Sequence, residues 1–139
     1  PLDRKCPETR AIFNYITNLY HNNLKKDSKR KLIAIFSYHT TGGELYSIPS
    51  DKAKEKQINL HLQTSEIYKK YTNYYIVEDK LKYGFMDYFR DYLDDVFSLT
   101  VELSKSSGNP LSCFTNINNF NNEIISNKIA IFKTLDKLI

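Results

Sequence analysis

The chain has 139 residues, 41% of them hydrophobic and 26% charged, a balance that supports one globular domain with a real core. Its formal charge is +4, made by 16 lysines and only 4 arginines against 16 acidic residues. Arginine is the residue that forks onto bases and phosphates, so a lysine surplus with frequent Asn, Ile and Tyr fits AT-rich coding bias and argues against a nucleic-acid partner. No run approaches the roughly 18 apolar residues that a membrane span needs.

The opening Pro1-Leu2-Asp3-Arg4-Lys5 has neither a starting Met nor a secretory apolar stretch, which is expected of a chain cut for expression, a processed form or a fragment. Residues 1–139 are expected to form a single partial domain. Cys6 and Cys113 are far apart, and the spacing leaves a disulfide between them open. There is no CxxC and no zinc-finger spacing.

The periodicity predicts a helix over Glu8–Asn23, with Pro7 at its start and Ile12, Ile16, Leu19 and Tyr20 at helical spacing. Lys25–Lys31 is a basic, solvated connection. Leu32–Tyr38 is a nearly continuous apolar run, the pattern of a strand buried on both faces. It ends at His39. Thr40–Gly43 is a loop in which paired glycines permit a tight turn or a close approach. Pro49–Asn59 is polar and lysine-rich and reads as an exposed loop. A helix is expected over Leu60–Tyr71 and a short strand over Tyr74–Val77. Phe85–Leu93 reads as an amphipathic helix with Met86, Phe89, Tyr92 and Leu93 inward. Phe97–Ser104 alternates, placing Phe97, Leu99, Val101 and Leu103 on one face and Ser98, Thr100, Glu102 and Ser104 on the other. Gly108-Asn109-Pro110 breaks the chain. A last helix over Asn121–Leu138 is expected to bury Ile124, Ile125, Ile129, Phe132 and Leu135. The order helix, strand, helix, strand, helix, strand, helix implies an α/β fold with a mixed, largely parallel sheet flanked by helices.

Two residues carry candidate chemistry. His39 stands at the end of a strand beside a glycine loop, where open α/β sheets place their ligands, and a neutral imidazole there is a potential zinc ligand. Glu102 lies on a polar strand face; in a cleft, such a carboxylate is suited to taking a proton from water. His21 and His61 read as surface residues on helices. Cys113 lacks a nearby His or Lys and reads as a packed thiol.

The apolar strand ending in His39, with Gly42 and Tyr46 behind it, resembles the segment of the third zinc ligand in carboxypeptidase A-like zinc metallopeptidases. The closest branch is the bacterial γ-D-glutamyl-diaminopimelate peptidases. Pro7-Glu8-Thr9-Arg10-Ala11 resembles the PETRA helix start of that family. Gly84-Phe85-Met86-Asp87-Tyr88 resembles its G-x-x-D-W segment, with Tyr88 for Trp. Thr100-Val101-Glu102-Leu103 resembles the strand of the general base. Asn109-Pro110-Leu111 and the final helix also fit.

The resemblance covers nearly the whole chain and implies the C-terminal half of a zinc carboxypeptidase-type domain. It makes His39 a zinc ligand and Glu102 the glutamate that activates a zinc-bound water against a scissile carbonyl. It implies a peptide or cell-wall peptide as substrate and a placement at the cell envelope. In its register Met86 lies at the base of the specificity pocket, Thr40 lines the cleft, and Tyr83 or Tyr75 stands near the substrate tyrosine, whose own position falls at Asp79. The family's H-x-x-E motif and Asn-Arg pair have no counterpart here. A catalytic zinc needs two further protein ligands, so the chain alone is expected to be inactive. The absent N-terminal half would also leave a sheet edge exposed, suited to pairing with a second copy. The alternatives are a catalytically dead relative that keeps a peptide groove, and a module binding anionic polymers through Lys25–Lys31 and Lys52–Lys56.

Overall fold

The computed structural model describes residues 6–23, 25, 31–40, 42–78, 84–104 and 117–139. Asp79, Tyr83, Cys113, the Gly108-Asn109-Pro110 break and Lys26 to Arg30 of the basic connection lie outside them. The chain divides into two compact units, Pro1–Ile33 and Ala34–Ile139. In the first, helix α1 spans Pro7–Asn23. Proline at its first turn gives up only an N–H that has no helical acceptor. Ile16 is buried there, whereas Ile12 is 51% exposed.

The second unit is α/β. Its strands are β1 (Ala34–Thr40), β2 (Glu44–Tyr46), β3 (Tyr75–Ile76) and β4 (Phe97–Leu103), and its helices are α2 (Glu55–Thr72), α3 (Phe85–Tyr92) and α4 (Ile117–Leu138). The four strands form one sheet in the order β1-β4-β2-β3. β1 is parallel to β4, β2 is parallel to β3, and β2 runs antiparallel to β4. No described helix is long and apolar enough to cross a membrane.

β4 is an interior strand, and its alternation sets the layers. Phe97, Leu99 and Val101 are fully buried, and they join Leu45, Tyr68, Tyr74 and Ala130 in one core cluster. Burying each of Phe97, Leu99, Val101 and Leu45 stabilises the fold by about 1.5–3 kcal/mol. The opposite face is not plain solvent either, since Ser98 is fully buried and Thr100 half-buried.

Several expectations need correction. β1 is not buried on both faces: it stands at an edge of the described sheet, Ala34 to Ser37 are half-buried, and Tyr38 to Thr40 are exposed. β2 was not expected, because three residues are too few to show a period. α2 starts at Glu55 rather than Leu60. Its inner face is Gln57, His61, Thr64, Ser65, Tyr68 and Thr72, so no apolar stripe marks it. His61 is therefore fully buried, not a surface residue. α3 buries Met86, Phe89 and the following Leu93 as expected, but Tyr92 is 55% exposed and Arg90 is buried in its place. α4 starts at Ile117 and turns Asn127, Ala130 and Thr134 inward. Ile124, Ile125, Ile129 and Phe132 are exposed, and Leu135 is half-buried. Small and polar residues let α4 approach α2 and reach the polar tips of Tyr68 and Tyr74.

Candidate functional site

His39 and Glu102 each occupy the last but one position of a strand, and the parallel register of β1 and β4 makes them direct partners. Residues paired across strands project to the same face. Both therefore stand at the carboxyl end of a parallel pair, the edge where α/β sheets bind ligands. β2 enters this edge from the other direction and places Glu44 beside Glu102 and Tyr46 beside Thr100. A row of imidazole, carboxylate and carboxylate thus crosses β1, β4 and β2.

Gly42 makes this row feasible. Its N–H donates to the carbonyls of Leu103 at 3.2 Å and Ser104 at 2.9 Å, so the loop folds over the end of β4. A Cβ there would lie 3.0 Å from Glu44 Cδ and 3.3 Å from Glu102 Cβ, tighter than an ordinary contact. Glu44 itself is held: Tyr46 Oη donates to its Oε2 at 2.5 Å, and Tyr75 Oη donates to its Oε1.

Helix α3 closes the other side. Asp87 Oδ2 accepts the Gly84 N–H at 2.6 Å and so satisfies a donor at the helix start. Asp87 Oδ1 accepts from Arg90 Nη1 at 2.7 Å, and Arg90 Nη2 reaches Thr100 Oγ1 at 3.3 Å. The helix is thereby tied to the strand position two residues before Glu102. Burial holds the Arg90 guanidinium below its usual range, against the pull of Asp87 and Asp91.

Between sheet and helix lies an open pocket of about 500 Å³, with His39, Glu102, Met86, Asp87, Arg90 and Thr100 among its lining residues. It brings together three residues singled out from the sequence, His39, Glu102 and Met86. Thr40 is exposed and is not among the lining residues. The alternation of β1 turns it away from His39. Tyr83 is not described, and Tyr75 is engaged with Glu44. Sequence reasoning missed Arg90 and Asp87 as a pair, although their i,i+3 spacing on a helix is the pattern of an ion pair.

The described residues do not fit a complete zinc site. Among them no three His, Cys, Asp or Glu side chains are placed to hold a metal ion, and a catalytic zinc takes three protein ligands. His39 offers one imidazole, whose Nε2 lies 3.0 Å from Ser37 Oγ. What the arrangement provides by itself is a carboxylate and an imidazole side by side at the mouth of a pocket with an apolar and a cationic wall. No protein-family model matches this sequence, and no curated protein matches it.

Proposed function

We propose that this chain carries part of the site of a peptide-hydrolysing enzyme of the zinc carboxypeptidase type. Glu102 is the general base and His39 one metal ligand, the other ligands coming from outside this chain. One observation supports this reading above the rest. His39 and Glu102 belong to separate sequence motifs, and they are register partners on one face of the sheet, over a pocket that Met86 also lines. Glu102 takes a proton from the attacking water and returns it to the leaving amine. The wall made by Phe85, Met86 and Arg90 receives a side chain of the peptide.

The test is zinc content and peptide hydrolysis of the native gene product, with His39→Ala and Glu102→Gln. Glu102→Gln should keep the metal and lose on the order of 10²–10⁴ in kcat, the usual worth of a positioned acid–base group. His39→Ala should lose the metal. Both residues are outside the buried core, so both variants should keep the wild-type melting midpoint. Unchanged hydrolysis in Glu102→Gln overturns the assignment. A zinc-free product that binds peptide without cutting it would favour the second reading, a groove that has lost its metal, which the single imidazole of the pocket supports. The 139-residue chain alone should bind zinc weakly, and tight stoichiometric binding would contradict the proposed division of ligands.

A further inference from the structure

Arg90 is only 4% exposed, yet it lines the open pocket beside Met86 and Glu102. A guanidinium carries five N–H groups. Only two of its hydrogen bonds are made to described residues, one to Asp87 and a long one to Thr100. Its Nε is buried and has no acceptor among the described residues. A buried charged donor without an acceptor is costly.

The neighbouring carboxylates are engaged elsewhere. Asp87 gives its second oxygen to the Gly84 N–H at 2.6 Å. Asp91 accepts from the Ser50 N–H at 2.7 Å and the Ser50 hydroxyl at 2.5 Å. Arg90 is therefore a pocket-lining cation held in place by Asp87 and Thr100, with fewer acceptors among the described residues than it has N–H groups. We propose that Arg90 is a carboxylate-binding residue, and that the group entering this pocket beside Met86 is a carboxylate carried on an apolar stem.

The apolar stem follows from the rest of the lining. Phe85 and Met86 form part of the wall. Asp87 and Glu102 also face the pocket, so its carboxylates outnumber Arg90 by one and a small free anion gains little there. A carboxylate delivered by a stem that Phe85 and Met86 cover would be brought to the guanidinium, the one Lys or Arg among the lining residues. That the entering group belongs to a substrate rests on the peptide-hydrolase reading above; the carboxylate site does not.

Met86 is the only methionine of the chain, so a ¹³C-methyl methionine label gives one signal that reports this pocket. The probes are N-acetylglutamate α-amide, with a side-chain carboxylate alone; N-acetyl-leucine, with an α-carboxylate alone; N-acetylglutamine α-amide, the neutral isostere; and inorganic phosphate. At least one carboxylate probe should bind about tenfold or more tightly than the neutral isostere and than phosphate, and the probe that does so identifies a side-chain or a terminal carboxylate as the source. Arg90→Gln should abolish the difference. Should that variant fail to fold, Asp87→Asn removes the internal counter-charge while keeping an oxygen for Gly84, and should tighten carboxylate binding about threefold or more. Equal binding of charged and neutral probes, a carboxylate preference that survives in Arg90→Gln, or no tightening in Asp87→Asn overturns the inference. Carboxylate binding without any peptide hydrolysis by the native product would instead remove the enzyme reading and leave this site standing.

Discussion

The Nε2 atom of His61 accepts the backbone N–H of Ser98 at 2.9 Å, a bond that joins α2 to the interior strand carrying Glu102. The acceptor role fixes the tautomer, so Nδ1 carries the proton and donates to the Gln57 carbonyl at 3.0 Å. The ring is fully buried against Phe97, with centroids 5.2 Å apart. It is a neutral fastener between two layers, not a surface group.

Burial pushes the His61 pKa down from 6.5 to about 4, since protonation would put a charge in the core and remove the Ser98 acceptor. A folded pKa below the unfolded one gives stability that is complete above pH 6.5 and is lost as the pH falls through about 4. Over that window the loss is expected to be about 3 kcal/mol. Urea unfolding measured from neutral pH to pH 4 should show it, and His61→Gln should flatten the dependence. A wild-type profile with no acid slope would contradict the neutral assignment.

Gln57 is expected to matter as much as a core residue. Its amide donates to the carbonyls of Leu93 at 2.8 Å and Val96 at 2.9 Å, and its oxygen accepts the Asp95 N–H at 3.2 Å. It therefore clamps the turn between α3 and β4, where Asp95 takes a positive φ of 61°. Gln57→Ala removes three hydrogen bonds at this turn and should cost roughly 2–4 kcal/mol. The adjacent Lys56 forms an exposed ion pair with Asp95, and Lys56→Ala should cost under about 1 kcal/mol. Equal costs for the two variants would refute the clamp.

A third prediction concerns alkali. Tyr38 and Tyr68 share a hydroxyl bond of 2.8 Å, Tyr68 donates to Asn127 at 2.7 Å, and Asn127 donates to Tyr74 at 3.2 Å. Tyr74 donates on to Glu123 and accepts the Ser104 N–H at 3.0 Å. Burial drives the Tyr68 hydroxyl far above its usual value. Burial, with the bond to Glu123, raises Tyr74 from 10.0 to about 12. Raised pKa values mean that this stabilisation is full below pH 10 and fades as the pH climbs toward 12. Phenolate absorbance and ellipticity, followed together, should show a late tyrosine step that coincides with unfolding. Independent ionisation of every tyrosine near pH 10 in a folded chain would rule the network out.

Much of the layer order was legible in the sequence. The alternation of Phe97 to Leu103 and the helical spacing within Phe85–Leu93 each reported a face that packs on something apolar. The inner faces of α2 and α4 were not legible, because they are built from Gln57, His61, Asn127 and Thr134. Gln57, His61 and Asn127 are buried because partners on other elements satisfy them, and those partners are remote in sequence. The expectation of Ile124 and Phe132 as core failed for the same reason: period gives a face, and the polar face of α4 is the one with partners.

The sequence by itself determined which residue types stand at the strand ends: an imidazole after one apolar run, a carboxylate within an alternating one, and an i,i+3 Asp87–Arg90 pair on the helix between. Only the tertiary structure decided that these meet. The pairing of His39 with Glu102 depends on a parallel register between strands more than fifty residues apart, and no local rule sets that register. The burial of Arg90 depends on α3 lying against the polar face of β4, where its Nε finds no acceptor among the described residues.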